Sequence, residues 1–180
     1  MMMSEIKGQM LIPADRFTLR PVRQSDKGLM EMFAGDKRVA AMTTDIPHPL
    51  PPGTAEAFLD RVTAPDSPEK VWAIDGGTEG LGELLGVISL AEVVPGQSEV
   101  GYWIAPQFWN TGLASEALGA LVKANPMEDT SMVASIFQDN PASARVVTHA
   151  GFALIGESEV FSVARNAMVN TWDYVLRLKE

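Results

Sequence analysis

The stretch from Glu99 to Leu118, EVGYWIAPQFWNTGLASEAL, carries an apolar strand through a short turn at Gly112 and straight into a helix. Such a connection aims the unpaired N–H groups of the first helical turn, and the positive end of the helix dipole, at one point in space. That point suits a phosphate or pyrophosphate. The residues placed to form the cradle are Trp109, Asn110, Thr111, Gly112, Leu113, Ala114 and Ser115. Asn110 belongs to the non-glycine types that most readily take a positive φ, so the sharp backbone path is open to it. No Lys or Arg stands in the loop, which leaves an anion to backbone amides, the helix dipole and the Thr111 side chain. The stretch predicts a binder of phosphorylated small molecules.

Other chemistry-bearing residues are few. Glu99 opens its strand and shares a face with Gly101 and Trp103, with Val100 and Tyr102 on the other face. Asn140 is a strong N-cap ahead of Pro141, with Ser143 one turn on. The chain has no cysteine and two isolated histidines, His48 and His149, so disulfides and thiolate metal sites are excluded and no metal centre is expected.

Strands and helices must position these residues. FTLRPV (17–22) reads as a strand, followed by a helix capped by Ser25 or Asp26, with Leu29, Met30 and Phe33 facing inward, and ended by Gly35. The segment 43–53, with four prolines, is a loop. A second helix spans 54–62, and VWAID (71–75) and LLGVISLA (84–91) form an antiparallel hairpin across a glycine-rich turn. EVGYWI (99–104) is the fourth strand, a helix runs over 115–124, and SMVASIF (131–137) is a buried fifth strand. A capped helix from Asn140 to about Gly151 and a final hairpin, 153–161 with 169–178, complete the order. The pattern implies an α+β fold: a mostly antiparallel mixed sheet of about seven strands flanked by about four helices.

The chain reads as one domain over 1–180, with 1–14 as a loosely ordered N-terminal extension, and is long enough to bury roughly 70% of its unfolded surface. A formal net charge of −9 disfavours nucleic acid or an anionic membrane as partner, while a cationic substrate is tolerated. Neither a secretory segment nor a run of roughly 20 apolar residues is present, so the expectation is a soluble, cytoplasmic protein. A nucleotide-binding α/β domain is disfavoured, since GxGxxG after an early strand and GK[ST] are both missing.

The order of elements, the strand EVGYWI, the turn WNTGLASEAL and the downstream NPASARVVTHAGF together resemble the GNAT acetyltransferase superfamily, and within it the RimJ/RimL-like branch. The resemblance implies a sheet splayed at strands 4 and 5 and an acetyl-CoA-dependent N-acetyltransferase acting on a protein N-terminus or small amine. It makes acetyl-CoA the cosubstrate and favours a homodimer. Carried onto this sequence, backbone N–H groups of Tyr102, Trp103 and Ile104 polarise the thioester carbonyl, and the turn from Trp109 to Ser115 holds the pyrophosphate. Asn140 contacts the pantetheine arm, Ser143 lies near the sulfur as a proton donor, and Arg145 reaches a coenzyme phosphate or is simply a solvated helix charge. Glu99 serves as general base, or is a solvated glutamate at a strand start, and His48 lines the acceptor pocket or sits at the surface of its proline loop. Many relatives carry a tyrosine acid seven residues after the Asn, where this chain has Val147. That departure supports an alternative, a non-catalytic acyl-CoA-binding module.

Overall fold

The computed structural model describes residues 9–178. One eight-stranded sheet runs in the order β1-β2-β3-β4-β5-β6-β8-β7. Its strands are β1 (Ile12–Pro13), β2 (Thr18–Pro21), β3 (Glu69–Asp75), β4 (Gly86–Val94), β5 (Gln97–Ile104), β6 (Ser131–Phe137), β7 (Ala153–Ser162) and β8 (Ala167–Arg177). Five α-helices flank it: α1 (Lys27–Ala34), α2 (Lys37–Ala40), α3 (Thr54–Val62), α4 (Leu113–Ala124) and α5 (Pro141–His149). Every neighbouring pair is antiparallel except β5 with β6.

Strand alternation sorts the core into two layers. Trp72, Ile74, Ile88, Leu90, Val100, Ile104, Met132 and Ala134 face α4 and α5, meeting Leu118, Leu121 and Val147. Val71, Ala73 and Val87 face the opposite way, onto Met30, Phe33, Leu59 and Val62 of α1 and α3. The two faces of β5 therefore look into different layers.

Three expectations need correction. Eight strands and five helices replace about seven and four, because β1 and α2 are too short to show a period. The loose extension expected over 1–14 does not hold for its described part: Ile12 pairs with Leu19 and is buried, and the Trp72 indole N–H donates to the Met10 carbonyl at 2.8 Å. Residues 1–8 lie outside the described residues. Neither Ser25 nor Asp26 caps α1 through its side chain. Asp26 instead turns inward, receiving Nη1 and Nη2 of the buried Arg20 at 2.9 and 2.8 Å, while Arg20 Nε reaches Asp75 at 2.7 Å. Burial opposes the Arg20 charge, but the hydrogen bonds and charges of the two aspartates raise its pKa above the ordinary arginine value. Removing one member of such a buried set leaves an uncompensated charge, which costs about 3–5 kcal/mol.

β5 and β6 pair only through Gln97↔Ser131, Ser98↔Met132 and Glu99↔Val133, then diverge. This is the splay expected between strands 4 and 5, renumbered by the addition of β1. Beyond Glu99, β5 keeps a strand partner on its β4 side alone. Gly86 makes close approach at that end of the hairpin possible, since a Cβ there would lie 2.2 Å from the Trp103 carbonyl oxygen.

Candidate active site

A cavity of about 940 Å³ opens where β5 and β6 part. Its wall gathers Tyr102, Trp103 and Ile104 from β5, the whole turn from Trp109 to Ser115, and Asn140, Ser143 and Arg145 from α5. Segments 40 residues apart thus meet because the divergent strands each lead into a helix whose N-terminal end faces the gap.

The turn supplies an anion-binding end. Gly112 (φ +81°) and Asn110 (φ +62°) both take the left-handed region, as the glycine and asparagine there predict. Gly112 occupies the N-cap of α4 with no side-chain cap, so the first amides of this 12-residue helix have no side-chain acceptor. Thr111 departs from expectation. Its hydroxyl donates to the Phe108 carbonyl oxygen, so that proton is committed within the turn rather than free for a phosphate. Trp109 braces the turn, donating its indole N–H to the Ile104 carbonyl oxygen at 2.7 Å, and the Arg38 guanidinium lies 5.7 Å from its ring centroid.

At the α5 end, Asn140 caps the helix by accepting from the Ser143 N–H at 3.2 Å, and its amide nitrogen donates to Ser143 Oγ at 3.2 Å. Ser143 Oγ thus accepts one hydrogen bond and keeps its own proton to give. Arg145 lines the cavity as an exposed residue.

Glu99 does not line this cavity. It stands on the other face of β5, at the last β5/β6 pair, with an exposed rim. Its carboxyl sits above the usual glutamate range, first because surrounding protein strips part of its hydration and then because Asp173 and Asp45 face it with like charge. Ser135 and Ser158 donate to Asp173 from the same side of the sheet. His48 is also outside the cavity; it is half-buried, with Nδ1 enclosed and unpartnered. From its region Val39, Met42 and Thr43 line the cavity instead. The β7–β8 turn pins that segment: Val163 N–H donates to the Thr44 carbonyl oxygen at 3.0 Å, and Arg165 Nε to that of Ala41 at 2.7 Å.

Arg16 escaped the sequence reading. From the turn after β1 its Nε and backbone N–H reach the Glu116 carboxylate at 2.7 and 3.1 Å, while Nη1 donates to the Thr111 carbonyl oxygen at 2.8 Å. A cation is thereby docked against a turn that contains none. With about 100 residues between the partners, only tertiary packing brings them together.

The chain matches the family model of the acetyltransferase (GNAT) domain over residues 16–153 and belongs to that family. Its fold is shared by Mycobacterium smegmatis RimJ in complex with CoA-disulfide, at 18% identity and TM-score 0.79 over 94% of this chain and 88% of that one. It is shared by the spermidine N-acetyltransferase of Vibrio cholerae in complex with CoA and spermine, at 15% identity and TM-score 0.76 over 91% and 96%. A third likeness is to the acetyl transferase from Salmonella typhimurium that modifies the N-terminal serine of ribosomal protein L7/L12, at 20% identity and TM-score 0.75 over 93% and 99%. A search of the curated proteins gives no match.

Proposed function

We propose that this protein is an acetyl-CoA-dependent N-acetyltransferase of the RimJ/RimL-like branch, moving the acetyl group directly to a primary amine of a protein N-terminus or small molecule. The observation that carries the reading is the cavity itself, which joins an uncapped helix N-terminus at α4 to the unpaired edge of β5. Acetyl-CoA fits both ends: a pyrophosphate suits the α4 amides, and an amide-rich arm suits a strand edge that lacks a partner. When bound it supplies an acyl carbon activated by sulfur. The chain's own residues do the rest.

Backbone amides of Tyr102 to Ile104 orient and polarise the thioester carbonyl, and the turn with Arg145 and the Arg16 brace holds the phosphates. Asn140 and Ser143 flank the sulfur end. The amine enters from the face of Glu99, where that carboxylate takes its proton directly or through water. Asp45 and Asp173 add negative charge around this entrance and favour a cationic acceptor. The structural likeness to enzymes whose acceptors are an N-terminal serine and a polyamine supports an amine of either kind.

Isothermal titration with acetyl-CoA, followed by thiol release measured with a panel of N-terminal peptides and polyamines, tests the proposal. Binding accompanied by amine-dependent release of CoA is expected. Absence of binding at millimolar ligand overturns it, and binding without release for any amine favours the acyl-CoA-binding module suggested by Val147.

A further inference from the structure

We propose that Arg165 sets the size of amine the site admits, by fastening the segment that follows α2 across the mouth of the cavity. The proposal rests on the acetyltransferase reading above and adds to it a specificity-determining residue on the amine side.

The segment is tied at both ends. At the start of α2, the Arg38 guanidinium lies over the ring of Trp109, in the turn that follows β5. At its far end, Arg165 of the β7–β8 turn donates from Nε to the Ala41 carbonyl oxygen at 2.7 Å, and from Nη1 and Nη2 to the two carboxylate oxygens of Asp139, in the turn that follows β6. Since β5 and β6 have parted by this level, a segment held at Trp109 and at Asp139 crosses the gap between them. Val39, Met42 and Thr43 line the cavity from that crossing.

Arginine chemistry suits this fastening. The Ala41 carbonyl belongs to the C-terminal end of a four-residue helix, where the last carbonyls have no partner within the helix. One planar guanidinium serves that carbonyl with Nε and the Asp139 carboxylate with its other two nitrogens, a division of labour that a single ammonium cannot reproduce. The group is itself held in place, stacked 5.0 Å from the Phe137 ring centroid. Its hydrogen bond holds the Asp139 carboxyl below the usual aspartate range, so both charges persist at neutral pH.

Met42 is where this grip meets the substrate. Nη2 of Arg165 lies 3.6 Å from Met42 Sδ, the end of a flexible thioether side chain that is otherwise exposed. Trp103 places this wall on the amine side: it lines the cavity, packs against the α1/α3 layer, and shares its face of β5 with Glu99 across Gly101. An amine approaching along that face brings its substituent between Trp103 and Met42. Release of Arg165 frees Met42 and the Ala41 corner together and widens this passage. The coenzyme side is separable, because Asn140 caps α5 through Ser143 without help from Arg165.

The test compares amines that differ only in bulk beside the nitrogen: peptides beginning with glycine, serine, leucine or tryptophan, and propylamine against cyclohexylamine. In the full-length protein, Arg165→Ala should raise the ratio of kcat/KM for the bulkiest to the smallest accepted amine by about tenfold or more. The dissociation constant for coenzyme A should stay within about threefold, since the altered residue acts on the amine wall. Arg165→Lys and the surface change Asp139→Asn, which each keep part of the fastening, should shift the ratio the same way by less. Those two carry the test if Arg165→Ala does not fold. An unchanged ratio, a shift toward small amines, or a fall by one common factor for every amine overturns the proposal, the last because a purely structural loss would act on all substrates alike. Failure of the unaltered protein to bind acetyl-CoA or to release thiol with any amine would instead overturn the parent reading.

Discussion

Glu99 links local electrostatics to rate. Its raised pKa comes from lost hydration and from the like charges of Asp173 and Asp45, so the acid form persists to higher pH than in an exposed glutamate. A general base acts only when ionised, and kcat/KM should therefore fall as pH drops through this elevated value. Asp173→Asn removes one facing negative charge, lowers the Glu99 pKa and shifts the acid limb to lower pH; a pH–rate profile of the two proteins checks the sign. Glu99→Gln should reduce kcat/KM by about 100-fold or more. Arg16 belongs to the same scale but to the other ligand. Because it grips Thr111 and Glu116 rather than facing the reaction, Arg16→Ala should raise KM for acetyl-CoA several-fold with little change in kcat, and Arg16→Lys should restore part of it. An equal fall in kcat and kcat/KM would count against that role.

At the scale of elements, legibility followed length and punctuation. Thr54–Val62 and Ser131–Phe137 were readable to the residue: the first is amphipathic with a turn before it, and the second is a continuous apolar run. α2 has four residues and β1 has two, too few for any periodicity, and both owe their form to neighbours. Asp26 misled because a helix-start aspartate is ordinarily a cap; its partner Arg20 is visible only once β2 lies beside β3. The turn residues of the candidate site were legible through Gly112 and Asn110, whereas Arg16 and the open-edge setting of Tyr102 depend on tertiary placement. Gly86 gives a test at this scale. Gly86→Ala drives a Cβ against the Trp103 carbonyl oxygen and the Ile104 backbone, so it should destabilise the fold by about 1–3 kcal/mol. Thermal melts should show the loss, and any folded fraction should bind acetyl-CoA more weakly than its stability alone explains.

For the whole molecule, the formal charge of −9 acts on the two substrates in opposite senses. A polyanionic coenzyme is repelled at long range and a cationic amine is attracted, and both effects shrink as salt shortens the screening length to about 8 Å and below. Raising ionic strength should therefore lower KM for acetyl-CoA while raising it for a polyamine, with a neutral amine nearly unaffected. Steady-state kinetics across a salt series separates these slopes. Among the described residues no helix is long and apolar enough to cross a membrane, and the long outer strand β7 leaves Leu154, Ile155 and Phe161 exposed.

The seam between β5 and β6 has one more consequence. Five strands lie on one side and three on the other, and β5 and β6 join the two panels through only three strand pairs. A ligand lodged in the seam touches both panels and works as a splint. Coenzyme binding should then stiffen the protein well beyond its own footprint: amide protons along Gly101 to Ile104 and across β6 should exchange more slowly, and the two panels should unfold together at a higher temperature.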